Sequence, residues 1–310
     1  MRVLLARPRG FCAGVERAID IVELAIATYG PPIHVRKEIV HNRFVVEDLR
    51  QRGAVFVNEL SEVPEGAVVV FSAHGVSPAL REEAQSRGLR VIDATCPLVT
   101  KVHDEARKAL ERGLELVLIG HAGHDEVVGT MGEAPGRIRL VTKPADVDAL
   151  PGADPSRLMV LTQTTLSTDD TEAVMTRFGK RFPGFSSPPS GDICFATRNR
   201  QLAVRLLARE APVILVVGAQ NSSNSIRLRE VAAAAGARAH LVNHVGEVDW
   251  SWLDGVAVTG VTAGASAPEP VVRELVNVIV RRYGGAVEEV TAIEESVHFN
   301  LPEGLGRRPR

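Results

Sequence analysis

Residues 97–124 read PLVTKVHDEARKALERGLELVLIGHAGH. Their first half repeats apolar positions at helical spacing and stops at Gly113, the residue favoured just past a helix end. The run LELVLIG that follows is apolar on both faces, as a strand must be when helices cover its sheet on either side. His121 and His124 stand at its carboxyl end. The same alternation recurs along the chain. Helical segments are VERAIDIVELAIATYG, REEAQSRG, RNRQLAVRLLARE, IRLREVAAAAG and PEPVVRELVNVIVRRYGG; strand-like runs are VVVFSAH, RLMVLTQ, PVILVVGA and GVAVTGVTAG. The pattern predicts an α/β protein with parallel sheets. In that class ligands bind beyond the carboxyl ends of strands, so polar residues there are the ones to examine.

Three cysteines, Cys12, Cys96 and Cys194, end the apolar runs RVLLARPRGFC, LRVIDATC and GDIC. His41 follows the first after 29 residues, His124 the second after 28, and Asn224 the third after 30. A second polar residue at a strand end comes later in each third: His74, Thr164 and Ser266. The spacing predicts one unit used three times, although the thirds share no sequence identity. Expected lobes are 1-95, 96-190 and 191-290, with a tail over 291-310. The Pro/Gly/Ser-rich stretch RFPGFSSPPSGD marks the second boundary.

The 310 residues suffice for two or three domains, and 45% hydrophobic against 24% charged residues is an ordinary globular balance. A net charge of -2 gives no electrostatic case for nucleic acid as a partner. The short basic end, Arg307 to Arg310, reads as a solvated terminus. No apolar run is long enough to span a bilayer, and the chain opens on a strand, MRVLLA, rather than a signal segment. A cytoplasmic location is expected. There cysteines are free, metal-bound or catalytic rather than disulfide-bonded.

A single cysteine is more often a buried apolar thiol than a ligand. Here Gly or polar neighbours (RGFCAG, SGDICFATRN) or a following Pro (Cys96) put each at a loop mouth. Three thiolates can hold zinc together with a histidine, or an iron–sulfur cluster with one iron lacking a protein ligand. His41, His74 and His124 at strand ends suit a phosphorylated ligand, whereas His34, His103, His240, His244 and His298 lack that context. In GAQNSSNSIRLRE, residues Ser222, Ser223 and Asn224 lie where a helix begins near Ile226, and free N–H groups there favour an anion. N-capping alone explains one such residue, not a run. Ser266 in VTAGASAPEP has the same setting. Glu126, just past a strand-end histidine, ordinarily reads as a solvated helix-start residue. In a closed cavity its carboxyl would hold a proton at higher pH and could deliver it, with Thr164 as relay.

Together RGFCAGVERAI, KEIVHN, FSAHGVS, IDATCPLV, GHAGHDEVVGT, TQTTLS, GDICFATRNRQ, VVGAQNSSNS and GVTAGASAPE resemble the 4-hydroxy-3-methylbut-2-enyl diphosphate reductase family, from residue 1 to about 290. The resemblance implies three α/β lobes in pseudo-threefold arrangement around a central [4Fe-4S] cluster held by Cys12, Cys96 and Cys194. It implies a diphosphate pocket of His41, His74, Ser222, Ser223, Asn224 and Ser266. His124 would lie near the allylic end of the substrate, Glu126 would be the proton source, and Thr164, with Thr165 beside it, would meet the substrate alcohol. The implied reaction removes an allylic hydroxyl reductively, with electrons from an external ferredoxin- or flavodoxin-type donor. Two rivals use the same residues: a zinc-dependent hydrolase of a phosphorylated substrate, and a non-catalytic phospholigand-binding protein.

Overall fold

A computed structural model describes residues 1–302 and 305, so Arg307 to Arg310 lie outside the described residues. In chain order the elements begin with β1 (Arg2–Arg7), α1 (Ala13–Tyr29), β2 (Ile33–Arg36), α2 (Arg43–Gln51), β3 (Ala54–Val57), β4 (Val68–Phe71), α3 (Pro78–Ser86) and β5 (Arg90–Asp93). They continue with α4 (Pro97–Glu111), β6 (Glu115–Ile119), α5 (Asp125–Gly132), β7 (Ile138–Val141), α6 (Pro144–Ala149), β8 (Leu158–Thr162) and α7 (Thr168–Arg181). Last come α8 (Phe195–Ala208), β9 (Val213–Val217), α9 (Ser223–Ala234), β10 (Arg238–Val242), β11 (Val258–Ala263), α10 (Glu269–Tyr283) and β12 (Ala286–Thr291).

The strands make three sheets among the described residues, ordered β3-β2-β4-β5, β7-β6-β8 and β10-β9-β11-β1-β12, and every pairing is parallel. The α/β class with three parallel sheets is as expected. Each sheet contains the same trio, in which the first strand is central, the second lies on one side and the third on the other (β3-β2-β4, β7-β6-β8, β10-β9-β11). The spacing repeat in the sequence is therefore a repeat of topology: cysteine, helix, strand, helix, strand, strand, helix, with the short helix α6 inserted between the last two strands of the second trio. A fourth strand follows in the first and third cases. In the second it is reduced to a bridge from Ser186 to Met159.

Two expectations need correction. Strand β1 falls in the span assigned to the first lobe, yet it lies between β11 and β12 in the third sheet, and the cut at 290 falls within β12. The physical reason is that VLLA is apolar on both faces. Val3 and Leu5 pack with Val213, Leu215, Val261 and helix α10, while Leu4 and Ala6 pack against α8 and α9. Periodicity shows that such a strand is central but not which sheet it enters. Second, GDIC is not a strand end. Asp192 is fixed by its side chain, which accepts from Thr162 N–H (3.0 Å) and from Lys101 (3.0 Å), and Cys194 follows in a loop.

By compactness the chain divides into two units. One comprises Met1–Val15, His41–Val45 and Phe195–His298 and contains the five-stranded sheet. Its outer strand β12 is charged, with Glu288 and Glu289 paired to Arg2 (2.8 Å) and Arg7 (3.1 Å), which guards the edge against further pairing. The other unit comprises Glu16–Val40, Val46–Cys194 and residues from Phe299, and contains the other two sheets. There Val117, Ile119 and Val160 face α7 through Val174 and Phe178, and Leu116, Leu118 and Leu161 face α4 through Val102 and Ala106. Each such fully buried Val, Leu or Phe contributes roughly 1.5–3 kcal/mol. Among the described residues no helix is long and apolar enough to cross a membrane.

Candidate functional site

All three cysteines stand at the start of a helix. Cys12 immediately precedes α1, Cys96 is the N-cap of α4 with Pro97 next to it, and Cys194 immediately precedes α8. Free N–H groups and the helix dipole favour an anionic group at such positions. Each cysteine N–H is bonded to a carbonyl in the loop after the third strand of a trio: Cys12 to Ala265 (3.2 Å), Cys96 to Ala73 (3.0 Å) and Cys194 to Thr164 (3.0 Å). Each cysteine thus joins the trio that precedes its own, with the third standing before the first. None of the three is disulfide-bonded, and each is partly exposed.

The other polar residues flank the same loops. In an α/β sheet ligands bind beyond the carboxyl ends of the strands, where the loops after the first and third strands of each trio lie. His41 and His74 follow β2 and β4, His124 and Thr164 follow β6 and β8, and Ser222–Asn224 and Ser266 follow β9 and β11.

In the larger unit the His74 and His124 rings meet edge to face at 5.8 Å. His74 is followed by Gly75 at φ +83°, where an added Cβ would lie 3.1–3.3 Å from Val99, His103 and Thr95. Nδ1 of His124 accepts from Glu126 N–H (3.2 Å), so the hydrogen of a neutral ring is on Nε2. Glu126 is only 3% exposed. One of its oxygens accepts from Thr164 N–H (2.6 Å) and the other from the Thr164 hydroxyl (3.0 Å). Burial pushes the Glu126 carboxyl up to about 7, with Asp192 adding repulsion and the two Thr164 bonds opposing. Thr165 accepts instead from the Gln163 amide (2.9 Å), whose oxygen takes His121 N–H.

The smaller unit gathers its residues around the Gly264–Ala267 turn. Asn224 Oδ1 accepts from Ala265 N–H (2.8 Å), and the Ser266 hydroxyl donates to the His41 carbonyl (2.9 Å). Ser222 caps α9 by accepting from Ser225 N–H. Helix α9 therefore begins at Ser223, three residues earlier than the sequence suggested, which places Ser223 and Asn224 in its first turn.

The family model described as LytB protein matches residues 3–280. The chain belongs to the LytB family. Among curated relatives of this LytB chain, the 4-hydroxy-3-methylbut-2-enyl diphosphate reductase of Bordetella pertussis is 56% identical, covering 99% of this chain and 94% of the relative. That of Rhodococcus opacus is 54% identical, covering 98% and 91%. The solved E-1-hydroxy-2-methyl-but-2-enyl-4-diphosphate reductase from Plasmodium falciparum superimposes with a TM-score of 0.91 at 37% identity, over 98% of this chain and 94% of that one. A second solved structure, an (E)-4-hydroxy-3-methyl-but-2-enyl diphosphate reductase and terminal enzyme of the non-mevalonate pathway, gives 0.65 at 29% identity, over 90% and 99%.

Sequence reasoning missed several buried polar groups of the LytB chain. Asn42 caps α2 by accepting from Phe44 N–H (3.0 Å), and Thr197 accepts from the Asn224 amide (3.3 Å). His103, set aside as background, is buried against Glu133 at 2.7 Å, with its ring below Gly75 and Gly129. Arg200, on α8, is wholly buried. The Asn residue after His41 was the one readable signal, as an N-cap; the others sit on helices whose polar residues look solvated.

Proposed function

We propose that this chain reductively dehydroxylates (E)-4-hydroxy-3-methylbut-2-enyl diphosphate, taking two electrons and two protons and releasing water with isopentenyl or dimethylallyl diphosphate. The observation that carries the reading is the Glu126–Thr164–Cys194 connection. A buried carboxyl that keeps its proton near neutral pH is bonded to a hydroxyl-bearing residue whose carbonyl holds the backbone of a cysteine at a helix start. The relatives named above are reductases of this substrate, which supports the same assignment.

Cys12, Cys96 and Cys194 would hold a [4Fe-4S] cluster, and a set of three partly exposed cysteines at helix N-termini, none in a disulfide, fits it. Such a cluster, with three protein ligands for four irons, supplies single electrons and one open iron as a Lewis acid for the alcohol. The remaining work belongs to the side chains. Ser222, Ser223, Asn224, Ser266, His41 and His74 bind the diphosphate through hydroxyl, amide and imidazole hydrogens and the N–H groups of α9, which fixes the alcohol end. His124 presents Nε2–H to the substrate. Glu126 delivers the proton that turns the departing hydroxyl into water, and Thr164 both orients that carboxyl and meets the alcohol. Thr165 supports the same loop. Electrons come from an external ferredoxin- or flavodoxin-type donor, and three cysteines without a disulfide suit the reducing cytoplasm.

Anaerobic purification tests the proposal. The protein should be brown, with about four irons and four sulfides per chain, and should oxidise reduced viologen only when the allylic diphosphate is added. A colourless protein with one zinc that hydrolyses the phosphorylated substrate would replace this reading with the hydrolase. A metal-free protein that still binds diphosphate would leave a binding protein.

A further inference from the structure

Arg200 is the largest wholly buried side chain among the described residues, and all of its nitrogens are engaged. Nε and one terminal nitrogen donate to the Gly10 carbonyl (3.1 and 2.8 Å), and the same terminal nitrogen reaches the Phe11 carbonyl (3.0 Å). The other terminal nitrogen donates to the Ala196 carbonyl (3.0 Å) and to Glu295 (3.2 Å). Glu295 also accepts from the Asn199 amide (2.9 Å). On the opposite side the same loop is held by its N–H groups, Gly10 to Ala263 (3.3 Å) and Cys12 to Ala265 (3.2 Å). Gly10 has φ +65°, and a Cβ there would come within 3.0 Å of the Ala267 carbonyl. The peptides leading into Cys12 are thus gripped from both sides, and one grip is a buried cation.

A guanidinium is costly to bury, and an apolar side chain of similar volume would pack the same space without that cost. What the apolar chain could not do is donate to the two carbonyls in fork geometry or carry charge one residue from the sulfur. We infer that Arg200 is a positioning residue that fixes the backbone from which Cys12 offers its thiolate, while Glu295, in the segment after β12, balances the charge it brings there. This rests on the cluster assignment above. Reduction adds negative charge to a cluster, so the local balance between Arg200 and Glu295 sets how easily the electron enters.

The test uses anaerobic holoenzyme. Arg200→Lys keeps the charge but cannot span both carbonyls, and should release iron to a chelator at least tenfold faster than wild type with unchanged far-UV circular dichroism. Val204→Ala, a truncation on the same helix in a core cluster that includes none of residues 10–12, should release iron at the wild-type rate. Glu295→Gln should retain iron and shift the midpoint potential in the positive direction, since Arg200 then lacks its counter-charge. Iron release by Arg200→Lys within twofold of wild type, equally fast release by Val204→Ala, or an unmoved potential in Glu295→Gln each overturns the inference. Wild-type protein that carries no iron or sulfide overturns the cluster assignment instead, a distinct outcome.

Discussion

Replacing Glu126 by Gln keeps the volume and allows both contacts to Thr164, but removes an acid. Burial raises the carboxyl from 4.5 to about 7 in the folded chain. That difference, about 2.5 at 1.36 kcal/mol per pH unit, amounts to about 3 kcal/mol. The folded state holds the proton more tightly than the unfolded chain does. The contribution is therefore complete below 4.5 and is lost as pH rises through 7. Gln cannot titrate. Urea unfolding of metal-free wild type and Glu126→Gln, compared at pH 4.5 and pH 8, should show the gap between them move by about 3 kcal/mol in favour of the variant at the higher pH. Turnover reads the same proton from the other side. Wild-type kcat should decline as pH climbs past 7, and the variant should be slower by roughly 10²–10⁴-fold while keeping iron and substrate affinity. A stability gap indifferent to pH, or a variant within twofold of wild-type turnover, would refute the argument.

Three further outcomes follow from the geometry. Cys12→Ser, Cys96→Ser and Cys194→Ser should each fail to retain a full cluster, and a variant with wild-type iron content and visible absorbance would remove that cysteine from the ligand set. Asn224→Ala leaves the Ala265 N–H without its acceptor, a loss of about 1–3 kcal/mol; calorimetry with the diphosphate substrate should show Kd raised roughly 10- to 100-fold, and unchanged affinity would exclude Asn224 from the pocket. Gly75→Ala forces a side chain into a left-handed backbone between Val99, His103 and Thr95, so the urea midpoint should drop by the equivalent of about 1–3 kcal/mol, whereas a stability equal to wild type would show that the loop can shift.

The α/β class and the cysteine-to-loop spacing were legible because both are local. A helix and a strand need about thirty residues whichever sheet they enter, and the runs after Cys12, Cys96 and Cys194 carry their own periodicity. What was not legible depends on partners far along the chain. Nothing in RVLLAR says that its neighbours begin at Val258 and Ala286. GDIC looked like a strand because its two apolar residues outweighed an Asp whose carboxylate in fact holds the loop. Glu126 and Arg200 both look solvated on a helical wheel, and only the surroundings make one a buried acid and the other a buried cation. The individual roles in substrate binding came from the family resemblance, since strand-end position alone does not rank one histidine above another.

The placement of β1 between β11 and β12 also sets a schedule for biosynthesis. At roughly 5–20 residues per second, on the order of 15–60 s separate the synthesis of β1 from that of β12. Until β11 is made Val3–Ala6 is an apolar strand with two open edges, and until β12 is made it keeps one, a natural client for a holdase chaperone. The sheets built from residues 33–93 and 115–162 have their partners close at hand and can close meanwhile. Cys12, first of the three to be translated, is the last to gain its backbone anchor, because Ala265 is made after Cys96 and Cys194 and their partners Ala73 and Thr164. A cofactor that needs all three anchored sulfurs is therefore loaded only after Ala265 has been made.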